Sequence, residues 1–499
     1  MKDGKITISD YIDESVLNIS QQYDNLFATG DNEKLFEVIK ESESLIGTIK
    51  KPLSEMQLYY DIGTGYGELR KLTQSEVHLE KEIFHLRKAV NIFESAKEKR
   101  LFLDKEEIIS NYLIVLIYVN LGNALMSAQR HIVAIDNYFY ALNINPTFSM
   151  AYVNLSSTLF EYAAMQEDDI YRNYLNHAAY YYYKKTKEYA DNIHNPEAIK
   201  SLENYIKGFS TEYMTEFLEK EIEPPLYSFN LEDEYEYRKY CNLFRLFLNP
   251  IIDILPNQCF WIDDIQMPFV KNKIVPKELT EYYELFSQIK SEYAYSRYLW
   301  YKTVNEKVEE HPFWENDIDL AICRKYNADY SYRDFIARVA YKTIYSVFDR
   351  IGYFVNQYWE IGLKGNRISF NSIFNDKNKS KALSIRELAP LYWIQKDLSE
   401  SESVCITNPN STKLAKMRND MVHNALRTVT KKVEIDLKFT NTVFREEIEN
   451  NTLVNNSQVS RHKKAQFFRG SGYFVCSQYK ASASLGVSIL SVPCGLFVL

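Results

Sequence analysis

The sequence predicts an all-α protein, a helical repeat array followed by a four- or five-helix bundle. Three observations carry this. Gly (15) and Pro (13) are scarce for 499 residues, so little interrupts helical runs. Apolar residues recur at three- and four-residue steps, most clearly from Ile336 to Tyr358. A set of small and large residues across 118–146 returns 34 residues further on. A chain of this length exceeds one hydrophobic core, so two or three domains are expected.

The array comes first. Tyr118, Leu121, Gly122, Leu125, Ala134, Tyr138, Ala141 and Pro146 are spaced so that small residues let two helices approach and Pro ends the second. This pattern resembles the tetratricopeptide repeat (TPR). One period on lie Tyr152, Leu155, Ser156 and Leu159, the first helix of a following unit. Ala89, Phe93 and Ala96 match the second helix of an earlier unit, 45 residues back, and Tyr59, Ile62, Gly63 and Tyr66 its first helix. Residues 20–215 have room for four or five such units. The array implies a surface for a protein, peptide or nucleic-acid ligand; a scaffold packed on its own carboxy-terminal half is the alternative. Two features are expected to be structural. Gly63-Thr-Gly-Tyr-Gly67 looks like a phosphate loop but follows no strand and precedes no Gly-Lys-Ser/Thr, so close helix packing is expected. Arg172 and His177 lie in a Tyr-rich helix, where a seam-facing or exposed pair is expected.

The text then changes. Glu223-Pro-Pro225 and Asn249-Pro250 break the helical pattern, and all five Trp lie beyond them. A helix is expected near 277–308. The expected domains are repeats over 1–215, a connecting helical layer over 216–330, a bundle over 331–455 and an atypical Ser/Gly-rich basic tail over 456–499.

In the bundle, Ile336, Ala340, Ile344, Val347, Ile351, Val355 and Tyr358 make one apolar stripe, giving a helix over 334–361 stopped by Gly362. A second helix runs through Ile385–Leu398, with Pro390 as its kink or its start. A third covers Thr412–Leu426 and a fourth begins near Thr442. The third carries Arg418-Asn-Asp-Met-Val-His423. Arg offers a planar fork of donors to a phosphate, and His exchanges a proton near neutral pH. Asn419, Asp420 and His423 share a helix face. Arg418 is rotated roughly 140° from His423, so a two-fold dimer is needed to gather two Arg and two His around one phosphate.

The run Tyr341-Lys-Thr-Ile-Tyr-Ser-Val-Phe-Asp-Arg-Ile-Gly-Tyr-Phe-Val-Asn-Gln-Tyr358, then Leu391-Tyr-Trp-Ile, then Arg418-Asn-x-x-x-His423, resembles a HEPN domain. More narrowly it resembles the HEPN family preceded by TPR-like repeats, and Arg245-Leu-Phe-Leu-Asn-Pro250 looks like that family's connecting region. The resemblance implies a metal-independent RNA endonuclease that works as a homodimer, in antiviral defence or toxin-type growth arrest. It also implies catalytic roles for Arg418, Asn419 and His423. The alternatives are a non-catalytic TPR/HEPN protein that binds RNA or a protein partner, and a repeat-based peptide receptor.

Composition narrows the field further. A net charge of −8 argues against sequence-blind coating of nucleic acid. The six Cys are scattered without metal-ligand spacing, so reduced thiols, no metal and no cofactor are expected. The start is polar and no run of about 18 apolar residues is seen, so no membrane association and a cytoplasmic location are expected. From 450 to 499 there is no Asp or Glu against five Lys or Arg. A flexible tail, a pairing strand and an altered terminus are open readings there.

Overall fold

A computed structural model of the chain describes residues 11–166, 168–189, 199–200, 203–204, 232–244, 246–249, 251, 254, 261–265, 277–305, 328–329, 332–374, 383–385, 387–398, 407–411 and 428–429. Its contacts divide the chain into two units: Met1–Glu223 with Lys396–Ser411, and Pro224–Gln395 with Thr412–Leu499.

The first unit holds eight consecutive helices: α1 (Glu14–Thr29), α2 (Asn32–Ser44), α3 (Pro52–Thr73), α4 (Glu76–Glu98), α5 (Asp104–Ser127), α6 (His131–Ile144), α7 (Ser149–Ala164) and α8 (Asp169–Glu188). Local chemistry sets their ends. Gly30 turns the chain out of α1 at φ 72°, a conformation glycine adopts without strain. The Asp31 carboxylate accepts from the Lys34 amide at 3.2 Å, and Asp168 caps α8 by accepting from Ile170 N at 2.7 Å. Pro52 opens α3, where a missing N–H does no harm.

The helices pack in sequence order, each pair of neighbours forming the next layer. The repeat positions face inward: Leu125, Ala134, Ala141, Leu155, Ser156 and Leu159 are fully buried, as are Ala89 and Ile62. The spacing is wider before residue 127 because α3, α4 and α5 have 22, 23 and 24 residues against 14 in α6 and 16 in α7. The extra turns supply the insertion read from the sequence. A Cβ on Gly122 would run into the Tyr138 ring, whose hydroxyl donates to Asn123 Oδ1 at 2.9 Å. Gly63, Gly65 and Gly67 lie inside α3. Added Cβ atoms there would stand 2.9 Å from Leu86 Cγ, 2.6 Å from Tyr23 Cε1 and 2.9 Å from Glu82 Oε1, so these glycines serve helix contact.

One helix bears on the membrane expectation. Among the described residues, α5 is long and apolar enough to cross a membrane, with a mean hydropathy of 1.6 over its most apolar window. Ser110, Asn111, Asn120 and Asn123 break its apolar run, so it escapes a search for uninterrupted apolar residues. Of that window 67% is buried within the fold, as in the central helix of a bundle.

The second unit contains α9 (Glu232–Leu243), α10 (Lys277–Asn305), α11 (Tyr332–Tyr358), the short α12 (Phe370–Ile373) and α13 (Ala389–Leu398), whose last residues belong to the first unit. Beyond these the described residues hold a 3-10 turn over Gly365–Arg367 and one two-residue antiparallel pairing, β1 (Ala328–Asp329) with β2 (Thr428–Val429). The stripe of α11 is buried as read, from Ile336 through Val355, and Gly362 ends the segment at φ 88°. Pro390 stands in the first turn of α13, so it starts that helix and does not kink it. The α10–α11 contact is crossed by Glu292, which accepts from Arg350 Nε at 2.6 Å.

The Arg297 guanidinium organises the start of this unit. It makes a two-pronged pair with Asp263 at 2.8 and 2.7 Å and donates to the Leu246 carbonyl at 2.8 Å and Tyr237 Oη at 2.9 Å. Asp263 in turn accepts from the Leu248 amide at 2.8 Å. The 246–249 stretch and α9 are thereby tied to α10. The helices expected over Thr412–Leu426 and near Thr442, and the 456–499 tail, lie outside the described residues.

Two outcomes follow from this packing. Gly122→Ala should destabilise the first unit by about 1–3 kcal/mol through overpacking against Tyr138, read as a lowered urea midpoint. The second concerns Asp61, a buried residue of α3 bonded to Ser20 Oγ at 2.5 Å and Gln57 Nε2 at 2.8 Å. Burial pushes its carboxyl from 3.8 up to about 7. The folded state therefore holds this proton more tightly, a stabilisation complete below pH 3.8 and lost as pH rises towards 7. Asp61→Asn should be more stable than wild type at pH 8, with the advantage shrinking as the pH falls to 5.5 in urea titrations.

Candidate functional site

Arg418, Asn419 and His423, the residues singled out from the sequence, lie outside the described residues, as does Asp420. What the structure describes is the chain on either side. Five residues past His423 the chain enters β2, paired with β1 in antiparallel register, Thr428 opposite Asp329 and Val429 opposite Ala328. On the other side, within residues 407–411, Thr407 and Ser411 are buried, Ser411 standing seven residues before Arg418.

That stretch is held by a buried cluster of charge within the first unit. Asp397, in the last turn of α13, receives both Nη atoms of Arg87 from α4, the second at 3.2 Å. It also receives Arg130 Nη1, from the turn between α5 and α6, and the Thr407 hydroxyl. Arg87 donates in addition to the Thr407 carbonyl at 3.1 Å. Beside them Lys396 Nζ pairs with Glu80 Oε1 at 3.1 Å, both groups well buried. Burial alone would raise the Asp397 carboxyl, but Arg130 and Arg87 outweigh it and hold the group at about 2, against 3.8 ordinarily. Burial pulls the Arg130 guanidinium below its ordinary value, with Asp397 opposing.

None of these six residues was singled out from the sequence. One signal was present: Asp397 closes an apolar helix, where the negative end of the helix dipole disfavours an anion and a cationic partner is to be expected. Finding Arg87 and Arg130 as those partners needs the fold.

The second Arg-x-x-x-x-His pair is committed elsewhere. Arg172 donates to the Gln166 carbonyl from Nε at 2.9 Å and Nη2 at 2.6 Å, and to Asp169 at 2.6 Å. Its fork thus ties the α7–α8 turn. His177 is half-buried, and burial lowers its pKa. A further histidine, His85, is buried between the Tyr59 and Tyr66 rings at 5.7 and 5.8 Å, with Nε2 at 3.6 Å from Glu43. Burial lowers its pKa against the pull of Glu43, so it behaves as a neutral core ring. Among the described residues no three His, Cys, Asp or Glu side chains gather as metal ligands.

Residues 275–456 match the LA2681-like HEPN family. The match covers just over a third of the chain and takes in α10 to α13, the docked 407–411 stretch and the Arg418–His423 segment. The paired helices α1–α8 lie outside it. No curated protein and no solved structure matches the chain.

The cluster makes a direct stability statement. Asp397→Ala takes the carboxylate partner from the buried Arg130 and the half-buried Arg87 and should cost about 3–5 kcal/mol of first-unit stability. Because the Asp397 carboxyl is held below its ordinary value, its stabilisation is present above pH 3.8 and lost as pH falls through about 2. In chemical denaturation at several pH values the gap between wild type and Asp397→Ala should therefore be widest near neutral pH and close on acidification.

Proposed function

We propose that this chain is a metal-independent RNA endonuclease whose reacting groups are Arg418, Asn419 and His423. One observation carries the reading: the HEPN-family match spans the one Arg-x-x-x-x-His segment that lies in the carboxy-terminal half. The chemistry of the three side chains supports it. His423 takes the proton of the attacking ribose 2′-hydroxyl or gives one to the leaving 5′-oxygen. Arg418 binds the phosphate and stabilises the charge that grows on it, and Asn419 orients the ring or the substrate. The products are a 2′,3′-cyclic phosphate and a 5′-hydroxyl. On the helix expected from the sequence Arg418 would stand roughly 140° away from His423, so a homodimer gathering two copies is part of the proposal.

The paired helices α1–α8 fit the sensing half of a regulated effector, a TPR-like array with a protein or peptide ligand. On this reading the protein acts in the cytoplasm, in antiviral defence or growth arrest.

The test incubates purified wild type and His423→Ala with labelled total RNA and tRNA in EDTA. Wild type should leave cyclic-phosphate ends, and His423→Ala should be slower by a factor on the order of 100 or more. Equal cleavage by both proteins, or none by wild type, contradicts the assignment.

A further inference from the structure

Within the first unit α1 packs on α3, α3 on α5 and α5 on α7, whereas the even-numbered helices pack on their odd neighbours without comparable contact among themselves. A stack of helix pairs whose alternate members touch on one side only is curved, and here the odd helices line its inner side. That side carries unpaired amides, exposed apolar side chains and uncompensated acid. Asn123 Oδ1 accepts from the buried Tyr138 hydroxyl at 2.9 Å and from Asn154 Nδ2 of α7 at 2.8 Å. Both amides are thereby held in one orientation, and among the described residues nothing meets the Asn123 Nδ2 donors or the Asn154 Oδ1 acceptor. Asn120 is held the same way, its Nδ2 donating to Tyr60 Oη at 3.2 Å and its Oδ1 unpaired. Ile108 and Tyr112, 59% and 57% exposed, share a face of α5 with Asn123, which lies three turns beyond Tyr112.

The charge on this side has one sign. Ser20 of α1 bonds to Asp61 of α3, and the exposed Asp24 stands one turn beyond Ser20 with no ion pair. Glu161 stands two turns beyond Asn154 and is 47% exposed, with His131 Nε2 at 3.7 Å. Neither α1 nor α7 holds a Lys or Arg, and Arg70 and Lys71 of α3 are taken by Glu82 and Glu68. Lys105, in the first turn of α5, is the one other cation on the four helices.

We propose that the inner side of α1, α3, α5 and α7 binds an extended basic peptide segment of a partner protein. One main-chain amide pairs with Asn123 and Asn154, an apolar side chain rests on Ile108 and Tyr112, and Lys or Arg side chains meet Asp24 and Glu161. This names the ligand of the sensing half and rests on that reading of α1–α8. A fixed N–H donor beside a fixed C=O acceptor is the complement of a peptide unit, satisfying its carbonyl and its amide together. The carboxylates favour a cationic segment and repel phosphates, which sets this surface apart from an RNA site. Three steps between helix axes, at about 8–10 Å each, carry α1 to α7, a reach of roughly seven to nine extended residues.

The test uses the full chain and three fluorescent ten-residue peptides: one of Lys, Ala and Leu, its counterpart with Glu for Lys, and the Lys peptide with N-methylated backbone amides. Fluorescence anisotropy reads binding, and hydrogen exchange locates it. The Lys peptide should bind about tenfold or more tighter than either other, with slowed exchange in α1–α7. Asn154→Ala and Asp24→Asn, each with a urea midpoint like wild type, should weaken it about threefold or more, and Lys184→Ala on α8 should not. Equal binding of the Lys peptide and its N-methylated form overturns the proposal, as does unchanged affinity in both variants. Preference for the Glu peptide overturns the basic ligand and keeps a peptide-sensing array. Binding of none of the three also overturns it. A random displayed peptide library then separates the two readings: capture on α1–α8 keeps the sensing half, and no capture removes it as well.

Discussion

Asp397 is an anion at the end of a helix whose dipole repels it, in a place where water is excluded. It stays ionised because Arg87 and Arg130 face it, and those two come from elements 310 and 267 residues earlier in the chain. Removing Asp397 takes the carboxylate partner from both guanidiniums at once, so the cluster depends on that one residue. This constraint decides how the described carboxy-terminal segments can be arranged. Lys396–Ser411 belongs to the helical array although α13, from which it emerges, starts in the second unit. The HEPN-family match runs through this stretch without a break.

The second unit has its own version of the same device. Arg297 has its donors distributed over Asp263, the Leu246 carbonyl and the Tyr237 hydroxyl, and its guanidinium lies over the Tyr293 and Phe247 rings at 5.5 and 5.1 Å. A planar cation with four hydrogen bonds and aromatic faces around it is a case where burial is tolerated. Within each unit the helices pack closely, and glycine permits it at Gly122 in the first and at Gly352 in the second, where an added Cβ would meet the backbone of Phe370 at 2.8 Å.

Much of the fold was legible because helices write a local periodicity. The stripe from Ile336 to Val355, the stop at Gly362 and the inward set Leu125, Ala134, Ala141 and Leu155 all follow from spacing alone. Pro390 left two readings that needed coordinates to separate. The buried ion pairs were not legible, since nothing in a single sequence links Arg87 with Asp397 or Arg297 with Asp263. The apolar character of α5 was hidden by scattered Asn and Ser, which search rules for unbroken runs reject. In the candidate site, Arg418 and His423 stood out by side-chain chemistry. The same spacing at Arg172 and His177 shows its weakness, because there the guanidinium is taken up by Gln166 and Asp169.

The two halves thus carry different parts of one account. The array supplies fixed, satisfied charges that hold 396–411, and the HEPN-matched half supplies the Arg and His suited to a phosphodiester. On the proposed reading, a net charge of −8 gives no general attraction for RNA and puts the contact at a local site. The most direct measurement is therefore where RNA touches the protein. Ultraviolet cross-linking of full-length protein to a photoreactive-uridine RNA, followed by peptide mapping, should place the attachment within 412–427 and lose it in Arg418→Ala. Attachment confined to α1–α8, unchanged in Arg418→Ala, would contradict the account.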